Sequence, residues 1–181
     1  MNKIKLLNKL GFLKPIQDEV ELFWMLPEFL EKKRILEIGT AGGGSLARIS
    51  EYATEDAILY SIDIKQKWYV RFLLQWVTKK KQRTRLIQAD SKKVLPYFFR
   101  CFDVIFIDGS HTYEDVKTDF MLSLYLLNKG GKIILHDILN KGKTKMGTYY
   151  EVWKLWKEIK KENRRYKTRE YGQTGIVEVL K

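Results

Sequence analysis

The chain has a single cysteine, three prolines and two histidines in 181 residues, and no apolar run near the roughly 20-residue length that spans a bilayer. One thiol excludes an intramolecular disulfide, so Cys101, beside an apolar segment, reads as a core residue of a protein kept in a reducing compartment. Acids are in short supply: 22 against 34 bases, a net charge of +12. Such a field attracts acidic partners such as nucleic acid, anionic lipid or a phosphorylated substrate. The densest runs are KKKQRTR (79–85), KGKTK (141–145) and KEIKKENRR (157–165). None carries an aromatic-interleaved nucleic-acid signature, which leaves a lysine-rich solvated surface as the simplest reading. At the N-terminus, Asn8 and Lys9 break any secretory core in MNKIKLLNKLGFLKP, so the expectation is a short amphipathic helix and a cytoplasmic protein.

What is present is ordinary for a globular chain: 45% hydrophobic and 31% charged residues, in one expected domain, 1–181. Val20, Leu22, Phe23, Leu26 and Leu30 recur at helical spacing and predict a helix over 16–33, kinked or restarted at Pro27. RILEIG (34–39) reads as a strand running into a glycine-rich turn, with a helix from Ser45 to Tyr52 behind it. AILYSID (57–63), RLIQAD (85–90), FDVIFI (102–107) and GKIILHD (131–137) read as further strands. Between them lie helices over 66–80 and 113–128 and a short helical turn in KVLPYFF; the second helix carries Val116, Phe120, Leu124 and Leu127 on one face. After a polar loop at 138–147, TYYEVWKLWKEIKKE predicts an amphipathic helix whose core stripe is Tyr149, Val152, Trp153, Trp156 and Ile159. YKTREYGQTGIVEVL predicts a closing pair of strands around a glycine turn. Alternating strands and helices imply a doubly wound, mostly parallel α/β sheet covered on both faces, with one antiparallel edge strand from the closing pair.

Every suspicious polar residue falls at a strand's carboxyl end. The first strand delivers Glu37, then Gly39, Thr40, Ala41, Gly43 and Ser45; the next four end at Asp63, Asp90, Asp108 and Asp137. Parallel strands bring these ends to one rim, where ligands of open α/β sheets bind. A glycine-rich turn suggests a nucleotide, and Asp63, placed some residues on, suits two ribose hydroxyls. Ala41 stands at the second glycine of the dinucleotide fingerprint, however, and no phosphate loop exists. So many acids make a poor neighbourhood for a pyrophosphate. They suit S-adenosylmethionine, which joins a sulfonium and an ammonium to a nucleoside without phosphates.

ILEIGTAGGGS, YSIDI and IQADS resemble the first three motifs of class I S-adenosylmethionine-dependent methyltransferases, and the resemblance covers nearly the whole chain. FIDGSHTYEDVKTD with GGKIILHDI is narrower: it resembles the small-molecule O-methyltransferase group that includes macrocin- and rhamnosyl-type enzymes and cephalosporin hydroxylase-like proteins. The resemblance implies a Rossmann-like sheet of seven strands. It also implies a donor site formed by Glu37, Gly39, Thr40, Ala41, Gly43, Ser45, Asp63, Ile64, Asp90, Ser91 and Asp108, with Ser45 able to meet the methionine carboxylate. In catechol-type relatives the acids after strands four and five hold a divalent metal, which implies Asp108 and Asp137 as ligands of Mg2+ or another divalent ion. His111 falls where those relatives place a lysine base. Ile138 replaces their third ligand, an asparagine, and His136 is the candidate substitute.

A histidine suits proton removal near neutrality, so His111 is the expected base for an acceptor hydroxyl, with Asp108 and His136 beside it as the remaining catalytic candidates. The expected acceptor is a small molecule or glycan, drawn by charge if it is anionic. A nucleic-acid methyltransferase is disfavoured, since Asp-Gly-Ser-His stands where amino-directed base methylases carry Asp/Asn-Pro-Pro-aromatic. A non-catalytic protein of the same fold is the other alternative, and oligomerisation is left open.

Overall fold

The structure, a computed structural model, describes residues 25–144 and 147–180, together with Lys3 and Leu6. The helix expected before Met25, with Val20, Leu22 and Phe23, and the N-terminal amphipathic helix lie almost wholly outside the described residues. From Met25 the chain forms a 3-10 turn, Leu26–Phe29, with Pro27 at its start, so the restart at that proline is real but short. Phe29 and Met25 point into the core, while Leu30 does not: it is exposed once the turn ends.

Seven strands form one sheet in the order β3-β2-β1-β4-β5-β7-β6. They are β1 (Arg34–Ile38), β2 (Ile58–Asp63), β3 (Arg83–Gln88), β4 (Phe102–Ile107), β5 (Leu127–Leu135), β6 (Tyr166–Tyr171) and β7 (Thr174–Val179). Pairings from β3 through β5 are parallel, as buried runs such as VIFI and KIIL demand. The closing hairpin brings its antiparallel pairing to the sheet edge as a pair: β7 runs against β5, and β6 lies outermost against β7.

The helices are α1 (Gly44–Tyr52), α2 (Val70–Val77), α3 (Ser91–Val94), α4 (Tyr113–Leu126) and α5 (Val152–Lys161). One apolar layer joins α1, α2 and the Leu26–Phe29 turn to one face of the sheet; a second joins α4 and α5 to the other. Right-handed crossovers therefore leave β1 toward one face and β4 toward the other, which makes their shared edge the switch point of the sheet.

Several boundaries differ from expectation, α2 among them at Val70–Val77 against 66–80, and three have identifiable local reasons. β3 starts two residues early, where Arg83 N donates to Ala57 O at 2.9 Å, and Asp90 has left the strand to cap α3 by accepting from Lys92 N at 3.0 Å. β5 starts at Leu127 and stops before His136, and its register against β4 shifts between Phe102 and Val104. The last helix begins at Val152 rather than Thr148 because Tyr149 pairs with Lys143 and Tyr150 N donates to Gly142 O at 3.0 Å, which keeps that stretch extended. The core stripe is consequently Val152, Leu155, Trp156 and Ile159, with Trp153 half-buried and Tyr149 exposed. The Trp156 ring lies on Gly175 of β7, so closely that a Cβ there would stand 2.7 Å from it.

Candidate active site

The turn after β1 is built for close approach. Gly39 has φ +100°, Ala41 φ +42° and Gly43 φ +78°, so three of five consecutive residues are left-handed. Asp63, at the end of β2, holds this turn from the side: its Oδ2 accepts from Thr40 N at 2.9 Å and Ala41 N at 2.8 Å, while Oδ1 accepts from Lys65 N at 2.8 Å. Tyr69, in the segment before α2, stands beside Gly42. Gly39 in turn lies against the backbone of Asp108 and Gly109, where β4 ends. The turn expected to receive a donor and the segment expected to do chemistry thus touch at the switch point.

Glu37 does not face the rim. It is fully buried beneath the turn, accepting from Ser45 Oγ and, at 2.8 Å, from Ser61 Oγ. Ser45 is therefore turned inward, away from the ligand carboxylate expected for it. Burial pushes the Glu37 carboxyl up to about 8 against the pull of the two serines, and the charges of Asp108 and Asp63 add to the rise. The unfolded group titrates near 4.5, so the native state holds an extra proton between 4.5 and 8 and stability falls as pH rises through that window. This one group should remove on the order of 4 kcal/mol across the window. Glu37→Gln, which keeps the hydrogen-bonding shape and cannot ionise, should flatten the profile. Denaturant midpoints measured across these pH values test it, and a wild-type profile as flat as that of the variant would refute the assignment.

At the other side of the switch point the structure gathers four predicted residues. His111 Nε2 lies 2.9 Å from Asp137 Oδ2; His136 Nδ1 lies 3.3 Å from Asp108 Oδ1 and 3.5 Å from Asp137 Oδ2. Asp137 reaches this position through φ +59°, a left-handed residue that follows His136 beyond the end of the strand. Burial opposes charge on His136, yet hydrogen bonds to Asp108 and Asp137, and their charges, raise its imidazole to about 10. Burial likewise opposes ionisation of Asp137, and the two histidines overcome it, holding the carboxyl well below the usual carboxylate range. One ligand atom each from Asp108, His111 and Asp137 falls within 4.8 Å of the others, a donor set that fits a divalent cation.

Asp90 and Ser91 are drawn elsewhere. Asp90 caps its own helix, and Ser91 Oγ donates to Asp119 Oδ1 at 2.6 Å, where burial lifts the Asp119 carboxyl to about 6. Ile64 is exposed next to Asp63. Two residues of the site wall escaped sequence reasoning. Tyr150 packs edge-on to His111, with ring centroids 4.5 Å apart, and burial followed by the charges of Asp137 and Asp108 raises its phenol. Glu151 N donates to His111 O at 2.8 Å, and its Oε2 accepts from Tyr113 N at 3.0 Å. Asp115 orders the same loop by accepting from Ser110 Oγ at 2.8 Å and Thr112 Oγ1 at 2.9 Å. No periodicity marks these contacts, because each joins segments whose meeting depends on the folded sheet.

Comparison with known proteins finds methyltransferases by sequence and by fold. A protein named demethylmacrocin O-methyltransferase, from Streptomyces fradiae, is 25% identical over 136 residues, 65% of this chain and 32% of that one. A provisionally named O-methyltransferase of Mycobacterium sp. (strain JLS) is 29% identical over 119 residues, 64% of this chain and 53% of that one. The chain thus spans about half or less of the length of these curated relatives. The fold matches the MycE methyltransferase of the mycinamycin biosynthetic pathway, solved with Mg, SAH and mycinamycin VI, at a TM-score of 0.68 and 18% identity, over 99% of this chain and 53% of that one. Residues 36–138, from β1 through the turn after β5, match the model of the methyltransferase domain family, and the chain belongs to that family.

Proposed function

We propose that the chain transfers a methyl group from S-adenosylmethionine to a hydroxyl oxygen of a small-molecule or glycan acceptor. The observation that carries this reading is the contact of Gly39 with the Asp108 segment, which sets a glycine-lined berth directly against two carboxylates and two imidazoles. The relatives named as O-methyltransferases, and the neighbour that holds SAH, support it. Gly39, Thr40, Ala41, Gly43, Asp63 and Ile64 form one side of the donor berth; Asp108 continues it along the rim, and Glu37 and Ser45 brace it from below, while Asp90 and Ser91 are engaged by Lys92 N and Asp119.

When bound, the donor supplies an electrophilic methyl carbon on a sulfonium. His111 takes the proton from the acceptor hydroxyl: with Nε2 donating to Asp137, Nδ1 keeps the free lone pair. Alignment of the two reactants across the switch point supplies much of the acceleration. His136, whose charged form Asp108 and Asp137 both favour, offsets their charge and is a poorer base than His111. Tyr150 and Glu151 fix the His111 segment from outside. A negatively charged acceptor is drawn to the same wall by Lys141 and Lys143, which lie 5.3 Å from the Trp153 and Tyr149 ring centroids.

The second reading rests on the convergence of Asp108, His111 and Asp137. These three would hold a divalent ion, which would lend Lewis acidity to an acceptor oxygen. A neutral imidazole has one lone pair, which can take a proton or bind an ion but not both, so His111 is base in one reading and ligand in the other.

Calorimetric titration with S-adenosylmethionine, followed by mass spectrometry of hydroxyl compounds incubated with the donor, tests the proposal. Saturable uptake with S-adenosylhomocysteine as product is expected. Failure to take up the donor would overturn the reading, and uptake without product from any acceptor would favour a non-catalytic binding protein. Activity that survives a chelator selects the base reading for His111; activity abolished by it and restored by a divalent ion selects the ligand reading.

A further inference from the structure

The outer side of α2 is apolar where a monomer's helix should be polar. Phe72 and Trp76 on the helix and Trp68 in the turn before it recur every fourth residue and are 64%, 44% and 81% exposed, while Val70, Leu73 and Leu74 fill the core behind them. Ile64, in the bend after β2, is exposed as well. Contiguous exposed aromatics of this kind mark an interaction surface.

Charge around the stripe has one sign. No acid occurs between Asp63 and Asp90, a stretch that carries Lys65, Lys67, Arg71 and the KKKQRTR run. At the C-terminal end of α2 an open recess is lined by Lys79, Lys80, Arg83 and Arg85. Glu55, 3.8 Å from Lys79, offsets one of these charges. Lys3 joins from the other side: its Nζ donates to Trp76 O at 2.6 Å and lies 5.6 Å from the indole centroid.

We infer that this face docks on an anionic phospholipid bilayer, the aromatic stripe entering the headgroup boundary and the recess taking headgroup phosphates. Tryptophan and phenylalanine on one helix side with lysine and arginine at its flanks is the chemistry of interfacial binding. The rings argue against single-stranded nucleic acid. Trp68 meets Tyr69 and Phe72 edge-on, at interplanar angles of 86° and 68°, so these rings pack one another on a convex helix and do not offer parallel platforms for bases. The inference is independent of methyl transfer, because vesicle binding is read without donor.

Co-sedimentation of the full chain with vesicles tests it. The chain should pellet with phosphatidylcholine vesicles containing phosphatidylglycerol, stay in solution with phosphatidylcholine alone, show a blue-shifted tryptophan emission when bound, and be released by salt. Phe72→Ser combined with Trp76→Ser should lower the partition coefficient by about tenfold or more. Lys80→Glu and Lys81→Glu should each lower it by about fivefold, and, being exposed, should leave the denaturation midpoint unchanged. Failure to pellet with the anionic vesicles, or undiminished partition of the charge variants, would overturn the inference. So would displacement of the vesicles by single-stranded RNA at lower concentration. A self-association that the aromatic variants abolish, without vesicle binding, would assign the stripe to a second copy of the chain instead.

Discussion

Asp137→Ala should lower the rate of methyl transfer on the order of a hundredfold to ten-thousandfold, with donor affinity nearly unchanged. Asp137 touches both imidazoles: its Oδ2 lies 2.9 Å from His111 Nε2 and 3.5 Å from His136 Nδ1. Without it, His111 loses the carboxylate that fixes its ring and stabilises the imidazolium formed after proton uptake, or, in the ion-dependent reading, the ion loses one of its three protein ligands. Either route removes chemistry and spares the donor berth, which rests on the turn after β1 and on Asp63. Asp137→Asn keeps the volume and one hydrogen-bonding oxygen but discards the charge, so it should recover little. Single-turnover rates at saturating donor make the measurement. A wild-type rate in Asp137→Ala would remove the cluster from the mechanism. His111→Ala then separates the two readings, since a lost ligand is partly compensated by raising the ion concentration and a lost base is not.

Gly39→Ala should destabilise the fold by about 3 to 5 kcal/mol or prevent its recovery altogether. Two penalties add at this position. The backbone has φ +100°, which an L side chain resists, and the new Cβ would press on the Asp108 carbonyl oxygen while standing 2.6 Å from its carbon and 2.8 Å from Gly109 Cα. Those obstacles are main chain and cannot rotate aside. Two other glycines calibrate the effect. At Gly43, φ +78°, a Cβ would meet the Val70 side chain at 3.1 Å, which can yield; at Gly130, φ +74°, it would meet nothing within 4 Å. The order of loss should therefore run Gly39, Gly43, Gly130, with the last near the 1 kcal/mol of backbone strain alone. Chemical denaturation of the three variants gives the ranking, and equal losses would show that conformation, not the contact between the two turns, governs position 39.

The parallel core was legible because its strands are short apolar runs ending in acids, and only a parallel arrangement sends those ends to one rim. The same logic sends Asp108, His111, His136 and Asp137 to one rim, but not their partners: chain adjacency sets His111 beside Asp108 and His136 beside Asp137, whereas the folded sheet brings His111 to Asp137 and His136 to Asp108 as well. The sequence was less informative about which acids face a ligand. Glu37 has the alternation expected of the rim, but Ser45 and Ser61 close over it, and that enclosure depends on how α1 and β2 meet β1. Period alone also misplaced the start of α5: Thr148 to Tyr150 have helical company in the sequence, but the bonds from Tyr150 to Gly142 and from Glu151 to His111 hold them extended. Leu30 failed as a core residue for a related reason, since the 3-10 turn at Leu26–Phe29 rotates it outward.

The Trp156 ring resting on Gly175 ties α5 tightly to β7, and Tyr150 and Glu151 lie in the segment that leads directly into α5. Those two residues lie beyond the 36–138 span that matches the family model. The architecture therefore divides its labour: a shared chassis for the methyl donor, and a separately tunable bumper behind His111, anchored by one glycine-for-indole fit. If the proposed methyl transfer holds, substitutions in that bumper would alter the setting of His111 while leaving the chassis untouched.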